Sequence, residues 1–430
     1  MLAYALPSRS SRGTVALLAA MLSCRIALAL FSGVELDPRD FAIGREYFLD
    51  IGPYEYSLRV RDIWGDASLD PRGPRGYTFS YGSTRGAEAL VLQDLELRVG
   101  LDAPWSWRFR LFEGEAPDGR YRHVWTGLET RTPGEWWWYA FGEPFGAKEN
   151  TDIGMSIGRE ARSDAGGIRS RWELRAIFVD IPFDETNDRN ALQENVPFDM
   201  QLSTIWGLGE RGWARFDLDV GFPFDVRYGD NAAAPPEEQN FVFDYEKVSG
   251  SLAASLRSGR GDVLWLEYRG EASDRGRTYF APGPASDDFA IDYDLSRFRM
   301  EWWRGLTDDL QLSLGYEFVA FDEDTVFPND AARSEMQDRT DHIISAQLRR
   351  RYGDDFFLTS GLWFDLLRRD VKEPGKPQVF EDRIESNCGF IFEFPTNRGE
   401  ARSGHFLLGV TIDLDRGFSA HGFGQIAVTF

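Results

Sequence analysis

Arginine recurs at every second residue in several stretches of this chain, alternating with apolar residues and interleaved with acids. Arg59 and Arg61, Arg98 with Glu96, Arg108 and Arg110, Arg171, Glu173 and Arg175, Arg215 with Asp217, and Arg297 and Arg299 with Glu301 all show this spacing. In an extended strand it puts the charges on one face and Trp, Phe, Leu or Val on the other. Arginine keeps its charge and offers a planar, two-pronged fork to carboxylates. A packed core does not tolerate that density of charge, whereas a watery lumen does. Two uses follow. Arginine–acid ladders can pin strand register and fill a bore, or the arginines can line a path for anionic solutes.

Other chemistries find less support. The four histidines, His123, His342, His405 and His421, lie far apart, and no HExxH, GxSxG or P-loop occurs. A non-enzyme is expected, with a lipid-modifying barrel enzyme as the remoter alternative. Clusters of Cys and His with metal-ligand spacing are absent from the sequence, so no cofactor is expected. Acidic runs at 183–190, 235–239 and 321–330 read as solvated loops. Clustered carboxylates also suit Ca²⁺, or divalent bridging to lipopolysaccharide, though the runs lack EF-hand spacing. A net charge of -22 over 430 residues argues against nucleic acid, whose phosphates need clustered cation.

The elements that must hold the arginines are strands. Residues 418–430 alternate from Phe418 to Phe430, apolar on one side only, and end on an aromatic. Such a segment suits the closing strand of an outer-membrane barrel. Matching candidates are 54–64, 88–101, 105–115, 121–131, 135–142, 152–160, 168–180, 198–208 and 212–222, followed by 241–257, 262–272, 289–303, 309–322, 340–352, 356–370, 382–394 and 404–414. Connectors between them alternate long and short through most of the chain, as external loops and periplasmic turns do. The expected fold is all-β: a transmembrane, antiparallel, up-and-down barrel of about eighteen strands, with sixteen as the alternative. The closing strand is expected to pair with Tyr54–Trp64, because a barrel leaves no open edge in lipid. An aromatic content of 14% suits girdles, and Trp136–Trp138 and Trp302–Trp303 are expected there rather than on a sugar platform.

Residues 1–29 read as a signal peptide, with Arg9 and Arg12 ahead of an apolar run and Ala27-Leu28-Ala29 at its end. A lipoprotein reading, with Cys24 acylated, is the alternative. Residues 30–53 form a periplasmic lead and 54–430 the barrel. Cys388, among Ile384, Phe390, Phe392 and Phe394, is expected to face outward as a small apolar residue.

Three stretches resemble the alginate-export type of outer-membrane channel. They are YEYSLRVRDIWGD ahead of an Asp/Gly loop, LELRVGLDAPWSWRFRLF, and MSIGREARSDAGGIRSRWELRAIF. All lie between residues 54 and 178, under half the chain. The last of these is similar to that family's Gly-Arg strand, turn and returning strand. The resemblance implies a monomeric barrel with an arginine-rich constriction, passing an acidic exopolysaccharide outward with periplasmic export components as partners. The positions that match are Arg59, Arg98, Arg108, Arg110, Arg159 and Arg175. Strict alternation puts Arg159 with Ile153, Met155 and Ile157 on the lipid face, so its place in the pore requires a bulge at Gly158. The functional expectation is a channel for anionic polysaccharide or small anionic solutes, in the Gram-negative outer membrane among lipid and lipopolysaccharide. The second reading is a plugged structural barrel presenting acidic surfaces to a partner.

Overall fold

The computed structural model describes residues 76–83, 89–100, 104–116, 119–132, 135–143, 150–162, 168–182, 191–193, 198–208, 211–228, 241–260, 262–279, 288–353, 356–395, 403–415 and 420–429. The proposed signal peptide, the periplasmic lead, Cys24, the strand expected at 54–64 with Arg59 and Arg61, and the acidic runs at 183–190 and 235–239 lie outside them. Strands β1 (Gly76–Ser83), β2 (Ala89–Gly100), β3 (Trp105–Ala116), β4 (Gly119–Arg131), β5 (Trp136–Gly142), β6 (Asn150–Arg162) and β7 (Ile168–Pro182) begin the sheet. Next come β8 (Ala191–Gln193), β9 (Phe198–Gly207), β10 (Gly212–Tyr228), β11 (Phe241–Arg257), β12 (Val263–Tyr279) and β13 (Phe289–Thr307). Then β14 (Leu310–Val326), β15 (Glu335–Tyr352), β16 (Phe356–Lys372), β17 (Val379–Pro395), β18 (Ser403–Asp413) and β19 (Ala420–Thr429) complete it.

Neighbours in sequence are neighbours in space, and every pairing is antiparallel. β8 and β9 act as one interrupted strand, since Gln193 pairs with Val226 and Asp199 with Gly221, both on β10. β9 also pairs with β7. Finally β19 pairs with β1, Thr429 against Gly76. Of the nineteen strands, then, eighteen positions form a closed ring, as expected. Closure leaves no backbone edge to satisfy, the condition for spanning hydrocarbon.

The partner of the closing strand corrects one expectation. It is β1, in a stretch that turn chemistry marks as loop. The Asp/Gly/Pro-rich run before it hides a period-two core, Tyr77, Phe79 and Tyr81 against Thr78 and Ser80. A second correction concerns 321–330. Its first six residues, Phe321–Val326, continue β14 rather than forming a loop.

Faces separate cleanly. Trp105, Met155, Leu174, Met300, Leu314, Ile344, Leu348, Leu362 and Phe364 are exposed on one side of the wall, while charged residues of opposite parity are buried on the other. Exposed apolar side chains need lipid, so this face is outward and the charges line the lumen. Cys388, unpaired and half-buried, sits on the outward face opposite Leu362. Trp136 and Trp138 are exposed outward, but Trp137 is only 3% exposed and lumenal, so the tryptophan triplet serves both faces.

Both ends of the ring, Gly76 and Thr429, lie at the end where β13 turns into β14 and β15 into β16 through short connectors, 308–309 and 353–355. In outer-membrane barrels that is the periplasmic end. The alternation of connector length fails near the chain ends: 396–402 falls at the short-turn end, and 117–118 at the long-loop end.

Strands β11, β12, β14, β16 and β17 are each 17 residues long. At about 3.3 Å per residue each covers roughly 55 Å, well beyond an apolar band about 25 Å tall even when tilted. The excess lies at the external end, where outward positions become acidic. Glu246, Asp274, Asp292 and Asp324 stand opposite one another across four strands, and Asp294, Asp322, Asp338 and Asp370 across the next set. Like charges directly opposite repel by about 0.2–1 kcal/mol per pair. Asp292→Asn, which touches two such pairs, is therefore expected to raise barrel stability by about that amount at low salt. A gel assay of the heat-dependent mobility shift measures it, and a lowered transition would count against uncompensated repulsion.

Candidate functional site in the lumen

The lumenal wall of β3 to β7 is built in layers. β6 presents Gly154, Ser156 and Gly158 inward, so that strand is nearly bare. Aromatics of β5 fill the space: a Cβ on Gly158 would meet the Trp137 ring at 2.4 Å, and one on Gly154 would meet Phe141 at 2.4 Å. Trp137, Tyr139 and Phe141 pack with Ile177 and Trp125 into an apolar cluster, with Tyr139 and Phe141 stacked at 5.0 Å.

Arginines from both flanks lie over these rings. Arg108 of β3 sits 4.6 Å from the Tyr139 centroid. Arg171 and Arg175 of β7 reach back across β6, to Trp137 at 5.7 Å and to Phe141 at 5.7 Å. Guanidinium on an aromatic face is favourable and holds the fork in a defined plane. The carboxylates between them are shared. Glu129 takes Arg108 at 3.2 Å and Arg131 at 3.0 Å, and Glu173 takes Arg175 at 3.0 Å and Arg171 at 3.8 Å. Glu160 stands opposite Arg171 in register. Four guanidiniums thus face three carboxylates. Arg175 also donates to Gln201 Oε1 at 3.3 Å.

The opposite wall repeats the pairing with fuller compensation. Arg297 meets Glu317 at 2.6 Å and Arg299 meets Glu301 at 3.3 Å. Glu301 also accepts from Ser313 at 2.6 Å and Gln347 at 3.3 Å. Arg299, Glu301 and Glu317 are at most 1% exposed. Between the two walls, Lys247 and Arg269 share Glu271, each at 3.8 Å. Arg215 holds Asp217 at 2.6 Å, and both remain about a quarter exposed to the bore.

Of the expected pore residues, Arg108, Arg171, Glu173, Arg175, Arg215, Asp217, Arg297 and Arg299 thus face the lumen. Arg98 stands opposite Arg108, and Glu96 opposite Arg110, in the β2–β3 register. Arg159 does not join them. It is exposed, opposite Trp136 on the outward face. The register shifts of β6 fall at Thr151/Ile153 and Ala161/Arg162, leaving no bulge at Gly158 to turn Arg159 inward. Gly158 is small because Trp137 crosses it. Residues the sequence reading did not single out are Glu129, Arg131, Tyr139 and Phe141, and Trp137, expected in the outer girdle, packs with them on the lumenal side instead. The two-residue spacing Glu129-x-Arg131 was a usable signal; the reach of Arg108 across β4 to Tyr139 had none.

A closed eighteen-strand barrel with an exposed apolar belt and a charged lumen is the architecture of an outer-membrane β-barrel. No family model and no curated protein matches the chain. Among solved structures, it is similar to OccK5 (OpdH) of Pseudomonas aeruginosa, with 10% identity, 83% of this chain and 96% of that one covered, and a TM-score of 0.42. It is also similar to a bacterial polysaccharide outer membrane secretin, with 8% identity, 83% and 96% covered, and a TM-score of 0.35. The translocator domain of the autotransporter NalP from Neisseria meningitidis shows 9% identity, 65% and 86% covered, and a TM-score of 0.32. Overlaps this loose fix neither a solute nor a direction.

The layered wall makes Gly158 sensitive to size. Gly158→Ala is expected to displace the Trp137 ring and destabilise the barrel by about 1–3 kcal/mol, the usual cost of overpacking. Thermal unfolding and tryptophan fluorescence would measure it; wild-type values for both would show that the ring does not lie across Gly158.

Proposed function

We propose that the barrel is a channel for anionic solutes, with acidic saccharides or small organic acids as the class. The observation that carries it is the sharing of carboxylates: Glu129, Glu173 and Glu271 each serve two cations. Counted over Arg108, Arg131, Arg171 and Arg175 against Glu129, Glu173 and Glu160, one wall holds more guanidinium than carboxylate beside a bore where screening is weaker than in bulk water. The arginines are held by aromatics below and acids beside them, so they stay ordered while an anion exchanges one partner for the next. Binding that is favourable yet divided over several sites is what conduction needs.

The sequence resemblance to alginate-export channels extends this reading to outward passage of an acidic exopolysaccharide, delivered by periplasmic components. Divalent bridging between the external acidic rows and lipopolysaccharide is part of the same picture. A second reading, a plugged structural barrel, draws on the near-complete burial of Arg299, Glu301, Glu317 and Asp341. An enzyme has no comparable support.

The test is the zero-current potential across a salt gradient in planar bilayers. The wild type is expected to conduct with anion preference. Glu173→Gln, which frees two guanidiniums of their shared acid, should strengthen that preference, and Arg175→Gln should weaken it. Opposite signs from adjacent lumenal positions separate an electrostatic effect from general loosening. An acidic oligosaccharide added to the periplasmic face should block the current. Silent or cation-selective barrels would favour the plugged reading.

A further inference from the structure

Among the described residues, Arg159 is an arginine of the expected pore that lies on the outward face instead. On β6 it stands opposite Trp136 of β5 and Trp172 of β7. Its guanidinium carbon lies 5.8 Å from the Trp136 ring centroid, and the two indoles meet edge to face at 5.4 Å. Among the described residues it makes no ion pair, and the adjacent Glu160 is buried on the opposite face at 8% exposure. Arg108, Arg171, Arg175, Arg215, Arg269, Arg297 and Arg299 each have an acid beside them; this outward one has aromatics instead.

Its height on the wall is defined. Trp105, Trp136, Trp138 and Trp206 are exposed outward near the short-turn ends of their strands, marking the periplasmic headgroup boundary. From Arg159 toward the membrane centre, the same face carries Ile157, Met155 and Leu174, the last two exposed. Elsewhere on the ring, at the corresponding end of β15, Arg350 is outward and exposed, 5.0 Å from the Tyr352 centroid and opposite Leu310 and Leu358. It too makes no ion pair among the described residues. A cation at this level can snorkel to the headgroup layer, where the anions within its reach are lipid phosphates.

We propose that Arg159, set between Trp136 and Trp172, docks the phosphate of a glycerophospholipid of the periplasmic leaflet. The guanidinium fork fits two phosphate oxygens, the indoles flank the glycerol level, and an acyl chain lies along Ile157, Met155 and Leu174. The site requires only that the barrel sits in a membrane, and it stands apart from what the lumen conducts.

Native mass spectrometry of delipidated, detergent-solubilised protein titrated with phosphatidylglycerol tests the site. Arg159→Ala is expected to weaken the tightest lipid adduct about tenfold or more, the loss of a charged hydrogen-bonded contact. Arg159→Lys should fall between, keeping the charge but not the fork. Equal binding by wild type and Arg159→Ala would overturn the proposal. So would displacement of the lipid by inorganic phosphate alone, which would make this a free-anion site, or stronger Arg159-dependent binding of lipid A, which belongs to the other leaflet. Arg159→Ala should keep the heat-dependent gel shift and the wild-type zero-current potential, so a failure here is distinguishable from a failure of the channel reading.

Discussion

Everything in this molecule depends on closing the sheet. Hydrocarbon offers no partner to a backbone amide, so each strand must be paired on both sides. The pairing of β19 with β1 is where that requirement is met last. Once the ring is closed, side-chain parity is fixed all round it: a shift of one residue would drive charges into lipid and tryptophans into the bore. The alternation is thus the physical cause of the two faces. It also explains why the wall lacks a single core and carries small local clusters instead, such as that of Trp137, Tyr139, Phe141 and Ile177.

Within that ring the lumen solves a problem of its own. Arginine is long, and an unsupported guanidinium in a pore would wander. Here a nearly bare strand, β6, makes room for the rings of β5, which lie between arginines from β3 and β7. Acids within ion-pairing reach hold the forks, several of them two residues away on the same strand, as Arg171–Glu173–Arg175 and Arg299–Glu301 show. Buried ion pairs add little net stability, because desolvation offsets their attraction. They do fix orientation. The imbalance of charge then becomes a property of the lumenal wall, and it is the ground for proposing anions as the solutes.

Arg159 shows how one residue's role turns on parity alone. Its neighbours in sequence suggest a place in the pore, yet the β5–β6–β7 register puts it beside two tryptophans on the outward face. The same chemistry that would bind a solute inside becomes, outside, a means of meeting a lipid phosphate.

Period-two alternation by itself determined the fold class, the approximate strand number and the lumenal parity of Arg108, Arg171, Arg175, Arg215, Arg297 and Arg299, because alternation needs only local backbone geometry. It missed β1, where aromatics alternate inside a stretch dominated by turn residues, and it stopped short at the external strand ends, where acids alternate but carry no apolar signal. Only the tertiary structure decided which strand closes the ring, that Trp136 and Trp137 face opposite media, that Arg159 faces lipid, and that Arg108 reaches Tyr139. Those are contacts between residues distant in the chain, and register across several strands, rather than the pattern within any one of them, sets their distances.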